Sequence, residues 1–332
     1  MKKNVLIFIS HYLPGYKMGG PLNSIIGITE NLNQYFRFYI ISSDRDMGDS
    51  EPFKEIETNT WQELSNIKVK YLKAGINYYF NVYKDLSKNQ YDTIYLNSFF
   101  DFKFSIFIVI LFRLKLLNCN KIVLAPRGEL FPVSLSFGKI KKQVFLSISK
   151  FFNLHGDVIW HSTNIKESET IINLFKNVEL KMVEVLANNE SYLIPKKSNN
   201  SENNFLRIIY LSRISKDKNL PYTFKTLMKV RSKVQFHIYG PIEDNYIWNE
   251  CIDKMKELPK NITVKYMGGV KKEDVRKTFS KYDLFFFPTY NENYGHVINE
   301  SLSVGTSVLI SNNTPWRELD SNGLGWDFSL EE

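Results

Sequence analysis

The most informative stretch of this chain runs from Leu284-Phe285-Phe286-Phe287-Pro288 through Asn291-Glu292-Asn293-Tyr294-Gly295 to Glu300. An uninterrupted apolar run closed by a proline is typical of a buried strand. Residues Val297 to Ser303, which end before Gly305, are predicted to form a helix. A buried strand, a glycine turn and a helix, in that order, form the unit from which parallel α/β sheets are built.

The same alternation of strands and helices extends over the whole chain. In the first half we predict strands over 5–9, 38–41, 93–96, 122–124 and 158–160, with helices over 22–32, 104–117 and 165–175. After a polar stretch over 196–204, which predicts a linker, strands follow over 207–211, 234–239, 262–266, 284–288 and 307–310. The pattern predicts an α/β protein with two doubly wound parallel-sheet domains, 1–190 and 191–332.

The composition is that of a globular protein, with 332 residues, 43% apolar and 23% charged. Cys119 and Cys251 lie far apart, so a reduced, cytoplasmic protein is expected. The apolar segment at 5–9 indicates a first strand rather than a signal peptide. The longest apolar run, 104–112, is too short for a membrane span, which needs about 20 residues. The five histidines show no zinc-type spacing, and no metal is expected.

The positive charge is unevenly distributed. The chain has a formal net charge of +8, and the 102–155 region contains nine Lys and Arg against Glu129 alone, so the remainder sums to zero. A neutral remainder argues against nucleic acid as a partner. Segment 139–146 mixes cations with apolar side chains. It predicts either a core-facing helix with a solvated lysine face or a surface that contacts anionic lipid.

Several candidate ligand-binding residues follow predicted strands, and ligands bind beyond the carboxyl ends of such strands. Two cations after one strand suit a diphosphate, and N–H groups at a helix N-terminus suit a phosphate. Two carboxylates eight positions apart can accept hydrogen bonds from two parts of a sugar-containing ligand. The residues are Gly19, Gly20, Arg213, Lys218, Gly240, Glu292, Asn293, Tyr294, Gly295 and Glu300.

Two further motifs are open to more than one interpretation. Arg127-Gly128-Glu129 follows the strand at 122–124, where it is either an ordinary turn with a local ion pair or the rim of a binding cleft. Asp44-Arg45-Asp46 has the D-x-D pattern of metal-dependent glycosyltransferases. Because nothing else fits that class, we interpret it as a surface loop.

Together these motifs resemble a family-4 (GT4) retaining glycosyltransferase with the two-domain GT-B fold, of the bacterial surface-polysaccharide type. The strongest part is the E-x7-E element from Glu292 to Glu300, which continues to Thr314-Pro315-Trp316-Arg317-Glu318-Leu319 and Gly325-Trp326. The supporting parts are Tyr12-Leu13-Pro14 with Gly19-Gly20, Pro126-Arg127-Gly128, His161-Ser162-Thr163 with Glu167, and Arg213 with Lys218.

The resemblance implies transfer of a hexose or N-acetylhexosamine from a UDP-sugar, or secondly a GDP-sugar, to a glycan or polyprenyl-diphosphate-linked acceptor. It implies that 1–190 binds acceptor and 191–332 binds the nucleotide sugar, with the two domains facing across a cleft. Arg213 and Lys218 would hold the diphosphate and Glu292 the donor sugar; these three are the candidate catalytic residues. Glu300 would hold the ribose. The donor is a co-substrate, and no cofactor is expected.

The resemblance has two departures. Many family members have a histidine in the loop that here contains Arg127 and Gly128, and Glu129 is the candidate substitute. The family also continues beyond the position of Trp326, so we expect the chain to be truncated at its C-terminus.

The resemblance places the protein in the cytoplasm, with peripheral contact through 102–155 at the inner face of the cell membrane. The alternatives are a GT-B-like sugar-nucleotide epimerase and a non-enzymatic basic module that binds membrane or nucleic acid.

Overall fold

The computed structural model describes residues 2–73, 75, 77–136, 138–186 and 205–331. The chain divides into two compact units, Met1–Glu190 and Ser191–Glu332. The predicted linker over 196–204 lies outside the described residues. Within the described part, no helix is long and apolar enough to cross a bilayer.

The first unit is a largely parallel sheet with the order β3-β4-β2-β1-β5-β6-β7-β8, in which only the β3–β4 pair is antiparallel. Its strands are β1 Lys3–Phe8, β2 Phe36–Ser43, β3 Trp61–Leu64, β4 Ile67–Leu72, β5 Thr93–Leu96, β6 Ile122–Leu124, β7 Ile159–Ser162 and β8 Glu179–Met182. Its helices are α1 Gly20–Leu32, α2 Asn77–Lys88, α3 Phe107–Arg113, α4 Pro132–Ser136, α5 Lys139–Phe151 and α6 Ile165–Leu174, and a π-helical turn over Phe102–Ile106 precedes α3.

The second unit is an all-parallel sheet with the order β11-β10-β9-β12-β13-β14 among the described strands. Its strands are β9 Leu206–Leu211, β10 Val234–Tyr239, β11 Ile262–Gly268, β12 Leu284–Phe287, β13 Ser307–Ser311 and β14 Gly325–Phe328. Its helices are α7 Leu220–Leu227, α8 Asn245–Lys256, α9 Val275–Phe279 and α10 His296–Ser303. The strand order reverses between β9 and β12, and ligands of such sheets bind beyond the carboxyl ends of the strands at that point.

The aromatic run over 284–288 lies at the centre of the sheet of the second unit. Phe285, Phe286 and Phe287 are at most 1% exposed, and β12 pairs with β9 on one side and β13 on the other. A central strand covered on both faces must be apolar at every position rather than at alternate ones. The predicted strand, and the two doubly wound parallel sheets, are confirmed.

Two local predictions in the first unit are wrong. The helix predicted over 104–117 begins earlier, because the Asp101 carboxylate accepts the N–H groups of Lys103 and Phe104, and it ends at Arg113. Residue Lys115 has φ +57°, which no helix accommodates.

The motif Asp44-Arg45-Asp46 is not a surface loop as predicted. The two aspartates are 1% and 3% exposed. The Asp46 carboxylate accepts the N–H groups of Tyr16 and Lys17 at 2.9 and 3.3 Å. It is therefore used to fix the turn between β1 and α1.

Candidate active site

The centre of the candidate site in the second unit is the ammonium group of Lys218. Its Nζ lies 3.0 Å from Glu292 Oε2, 3.3 Å from Asp217 Oδ2 and 3.4 Å from the carbonyl oxygen of Asn291. The Lys218 side chain is 12% exposed and that of Glu292 is 18% exposed. Lys218 follows β9 and Glu292 follows β12, so this ion pair lies where the strand order reverses.

Hydrogen bonds join the loop after β9 to the loop after β12 and position this ion pair. The carbonyl oxygen of Asp217 accepts the N–H of Tyr290 at 2.8 Å and the hydroxyl of Thr289 at 3.0 Å. Asn219 donates its side-chain amide to the carbonyl oxygen of Pro288 at 2.9 Å. Because backbone atoms make most of these contacts, Lys218 is held in place independently of its ion pair.

The electrostatics of this group favour a permanently charged lysine. Burial disfavours the charged ammonium, but Glu292 and Asp217 outweigh that effect and raise the pKa of Lys218. Burial opposes ionisation of Asp217 as well, but Lys218 and the Ser215 hydroxyl lower its pKa overall. The site is therefore a preorganised cation whose counter-ions are two carboxylates of the same protein.

The second predicted cation, Arg213, lies in the same loop but is paired with a different carboxylate. Its Nη1 contacts Glu243 Oε2 at 2.5 Å, and the two side chains are 33% and 43% exposed. Its positive charge opposes that of Lys218 and helps to stabilise the Asp217 carboxylate. Both predicted cations and Glu292 thus belong to one charged group, while the contribution of Asp217 and Glu243 was not predicted.

Gly240 follows β10 at a point where two backbones meet. A Cβ atom at this position would lie 1.8 Å from the carbonyl oxygen of Ser212, and the residue has φ +134°. The bonds from Ser212 N–H to Tyr239 and from Ile214 N–H to Pro241 hold the two loops at this separation. The glycine therefore allows the Arg213 loop to pack against the end of β10.

The turn before α10 is fixed from both sides. Gly295, with φ +84°, is the N-cap residue of α10, and Glu292 accepts the N–H of Asn293 at 3.1 Å. The indole N–H of Trp316 donates to the carbonyl oxygen of Tyr294 at 2.6 Å. Glu300 lies within α10 and is half-buried. These contacts therefore fix the N-terminus of α10 next to the loop that contains Glu292.

The remaining predicted site residues belong to the first unit. Gly19 is the N-cap residue of α1 and Gly20 is the first residue of that helix, where it is exposed. These two glycines follow β1, the strand beside which the order of the first sheet reverses.

The loop Arg127-Gly128-Glu129 follows β6, and the local ion pair, which was one of two interpretations of this motif, does not form. Arg127 donates to Asn97 and Tyr95. The Glu129 carboxylate instead accepts the Ser98 hydroxyl at 2.9 Å and the N–H of Phe99 at 2.7 Å. Burial raises the pKa of Glu129 despite these hydrogen bonds. Glu129 thus fixes the loop after β5, and its role in catalysis stays a prediction.

No group of three or more His, Cys, Asp or Glu within the described residues is arranged to hold a metal ion. The charged group around Lys218 contains two cations, Lys218 and Arg213, and three carboxylates, Asp217, Glu243 and Glu292. Its two cations and the N-terminus of α10 favour an anionic ligand, and its carboxylates are acceptors for hydroxyl groups.

Comparison with known proteins supports this interpretation. Residues 194–325 match the family model described as glycosyl transferases group 1. The chain as a whole has the GT-B fold. The matching region contains every predicted site residue of the second unit and extends over two-fifths of the chain. Together the fold and the domain match support a glycosyltransferase.

Three solved structures illustrate the likeness. The Anabaena protein HepE in complex with UDP-glucose has a TM-score of 0.71 at 17% identity, over 98% of this chain and 85% of that one. The sucrose-phosphate synthase of Thermosynechococcus elongatus has a TM-score of 0.66 at 12% identity, over 100% and 87%. The lipopolysaccharide outer core galactosyltransferase WaaB has a TM-score of 0.60 at 14% identity, over 96% and 83%. No curated protein matches the chain significantly by sequence.

Proposed function

We propose that this protein is a retaining glycosyltransferase of the GT4 type that transfers a hexose or N-acetylhexosamine from a UDP-sugar, with a GDP-sugar as the second choice. The observation that supports it is the position of Lys218. A cation whose side chain is only 12% exposed lies between two carboxylates at the strand-order reversal of a domain that matches glycosyl transferases group 1. HepE, which shares the fold, binds UDP-glucose.

In this proposal, Lys218 and Arg213 bind the diphosphate of the donor, together with the N–H groups of Asn293, Tyr294 and Gly295. Breaking the anomeric C–O bond transfers negative charge to the departing diphosphate. Fixed cations and backbone dipoles stabilise that charge as it develops, and removing one such donor typically costs about 3–4 kcal/mol of barrier. The chain's own cations supply this stabilisation.

The carboxylates have separate roles. When a diphosphate takes the place of Glu292 beside Lys218, the Glu292 carboxylate becomes available to accept hydrogen bonds from the donor sugar. Glu300, further along α10, accepts hydrogen bonds from the ribose hydroxyls. An epimerase would also bind a sugar nucleotide, but it would release an altered nucleotide sugar without requiring an acceptor.

We assign acceptor binding to the first unit, residues 1–190, and a role in binding the donor phosphates to Gly19 and Gly20. We propose a glycan or polyprenyl-diphosphate-linked sugar, as in synthesis of O-antigen, capsule or exopolysaccharide. The likeness to WaaB, a lipopolysaccharide galactosyltransferase, supports this choice.

The surface of α5 supports contact with an anionic membrane at its cytoplasmic face. Ile140, Val144, Ile148 and Phe151 are 79%, 53%, 49% and 83% exposed. Their spacing of four, four and three residues puts them on one side of the helix. Exposed lysines at 139, 141 and 150 accompany them. An apolar helical face with lysines beside it is typical of helices that lie in the interface of an anionic bilayer.

Incubation of the full chain with radiolabelled UDP-glucose, UDP-galactose, UDP-N-acetylglucosamine or a GDP-sugar, and a lipid-linked saccharide acceptor, tests the proposal. The expected result is label in the acceptor with the anomeric configuration of the donor. Release of an epimerised nucleotide sugar, with no label in any acceptor, would support the epimerase instead.

A further inference from the structure

The guanidinium group of Arg127 is a fixed cation in the first unit. Arg127 follows β6 and has φ +54°. The next residue, Gly128, donates its N–H to Glu167 Oε1 at 2.7 Å. The other oxygen of Glu167 accepts the N–H and hydroxyl of Thr163 at 2.9 and 3.0 Å. The backbone of this loop is thus bound to the buried Glu167 carboxylate in the first turn of α6, which fixes the position of the Arg127 backbone.

The direction of each hydrogen bond around Arg127 follows from His161. The Nε2 atom of His161 lies 3.0 Å from the carbonyl oxygen of Val183, which can only accept, so Nε2 carries the proton. Burial and, secondly, Arg127 lower the pKa of His161 to about 4, so the ring is neutral at pH 7. Its Nδ1 therefore accepts, and the Tyr95 hydroxyl donates to it at 2.7 Å.

With its proton committed to His161, the Tyr95 oxygen is available to Arg127 only as an acceptor. Arg127 Nη2 donates to it at 2.9 Å, and Arg127 Nε donates to Asn97 Oδ1 at 2.8 Å. Tyr95 and Asn97 are 9% and 3% exposed. One edge of the guanidinium is therefore bound to two buried, uncharged oxygens whose orientation the protein determines.

Arg127 forms no ion pair with another described residue, although the buried Glu167 carboxylate is close enough to act on the same Tyr95 hydroxyl. Across the described ranges no carboxylate forms an ion pair with Arg127 within 4.0 Å, whereas Arg45, Arg113, Arg207 and Arg213 each have one. Of the five N–H groups of a guanidinium, two are used. The edge formed by both terminal nitrogens still has N–H groups to donate, in the geometry that matches a carboxylate or phosphate. The buried Nδ2 atom of Asn97, beside it, also lacks a partner.

We propose that Arg127 is a specificity-determining residue that binds an anionic group, a carboxylate or a phosphate, on the saccharide acceptor. Tyr95, Asn97 and His161 are positioning residues, which hold the guanidinium with its terminal edge available. This inference rests on the proposed acceptor-binding role of the first unit. It goes beyond that role by naming the chemistry of the acceptor: an acidic or phosphorylated sugar rather than a neutral one.

The test uses the full chain with saturating UDP, so that the anion site of the second unit is occupied. Ligand-observed NMR titrations measure the Kd of D-glucuronate and D-glucose 6-phosphate, with neutral D-glucose as reference. At least one anionic sugar is expected to bind about 10-fold or more tightly than glucose, because a charged bidentate hydrogen bond is stronger than a neutral one; tenfold in Kd corresponds to about 1.4 kcal/mol. Arg127→Gln should abolish this preference, and Arg127→Lys should restore only part of it.

Arg113→Gln is the matched control, because it removes another arginine of the same unit that is paired with Asp157; it should leave the preference unchanged. Tyr95→Phe should weaken the binding of the anionic sugars and have little effect on the binding of glucose. Equal binding of all three sugars, or a preference that survives Arg127→Gln, would overturn the inference. The inference would also be overturned if Arg127→Gln weakened the binding of UDP as much as that of the anionic sugar. Arg127 would then bind an anionic group of the donor rather than of the acceptor.

The two proposals fail separately in this experiment. UDP could fail to bind the unaltered chain while the chain still prefers anionic sugars and Arg127→Gln still removes that preference. Only the proposal that the donor is a UDP-sugar would then be wrong. If UDP binds normally and the sugar preference is absent, only the role of Arg127 falls.

Discussion

Substitution of Glu292 by Gln should separate donor binding from sugar transfer. The Glu292 carboxylate lies 3.0 Å from Lys218 Nζ, so a diphosphate that binds Lys218 must compete with it. Gln keeps the shape and a hydrogen-bond acceptor but removes the charge. The variant should therefore bind UDP more tightly than the unaltered protein.

The magnitude follows from the geometry. Two unit charges at this distance attract by about 1.4 kcal/mol in water and about 5 kcal/mol at an effective dielectric constant of 20. Both side chains retain some exposure, and Asp217 at 3.3 Å remains as a counter-ion in the variant. We therefore expect a net gain near the lower limit, about 1 kcal/mol, which is roughly a fivefold lower Kd for UDP.

Transfer of the sugar should respond in the opposite direction. If the charged Glu292 carboxylate accepts hydrogen bonds from the donor sugar, its replacement by a neutral amide should lower kcat about 100-fold. This is comparable to the loss of one transition-state contact of about 3 kcal/mol. Isothermal titration with UDP and steady-state transfer assays measure the two effects. Glu250→Gln removes a carboxylate that pairs with Lys254 on α8, and it should change neither. A higher Kd for UDP in Glu292→Gln would refute the reasoning.

Three further outcomes are expected. Gly240→Ala should lower the free energy of unfolding by about 3 kcal/mol in denaturant titrations, because its Cβ would meet the Ser212 carbonyl oxygen. The double variant Ile140→Glu, Phe151→Glu should bind anionic vesicles at least roughly 10-fold more weakly in sedimentation assays. The reason is that burial of each of these side chains in the membrane contributes about 1.5–3 kcal/mol to binding. Between pH 6.5 and 4.5, His155→Gln should remove about 2–3 kcal/mol of the acid-induced loss of stability.

The sign of the pH effect follows from burial. Burial lowers the pKa of His155 from 6.5 to about 4. Above pH 6.5 the ring is neutral in both states and contributes no pH dependence. Below it the unfolded chain binds a proton that the folded chain does not, so the stability falls with pH until about pH 4. An unchanged pH dependence in His155→Gln, measured by denaturant titration, would contradict this explanation.

The other two predictions have matched controls. Gly269→Ala changes a neighbouring glycine whose added Cβ meets nothing within 4 Å, and it should change stability by less than about 0.5 kcal/mol. Phe80→Glu changes a 65% exposed aromatic residue on α2, and it should leave vesicle binding intact. If the control in either experiment matches its test variant, the corresponding explanation fails.

The sequence predicted the convergence of Lys218 and Glu292 because both follow strands of one parallel sheet, and the carboxyl ends of such strands meet at one edge. Which two strands are neighbours was not predictable from the spacing alone. The pairing of β9 with β12 depends on contacts between residues far apart in the sequence, such as Asn219 and Pro288, which are 69 positions apart.

The unpredicted features depend on three-dimensional contacts that local patterns do not record. Asp217 is an ordinary loop residue in the sequence, but the backbone hydrogen bond from the N–H of Tyr290 to its carbonyl oxygen fixes it in the charged group. Asp46 was predicted to lie in a surface loop, but its carboxylate accepts the N–H of Tyr16 in the turn after β1. The apparent pair of Arg127 and Glu129 separates because each finds partners on the loop after β5.

The most direct test of the proposed donor site is isothermal titration of the full chain, and of Lys218→Gln, with UDP, GDP, ADP and CMP. Saturable binding of UDP, or secondly of GDP, at one site is the expected result. Losing the Lys218 cation should cost about 2–4 kcal/mol, which is roughly 30- to 1,000-fold in Kd. Lys225→Gln, which changes an exposed lysine on α7, should bind as before. If no nucleotide binds, or if Lys218→Gln binds UDP as tightly as the unaltered chain does, Lys218 is not part of a nucleotide-sugar site.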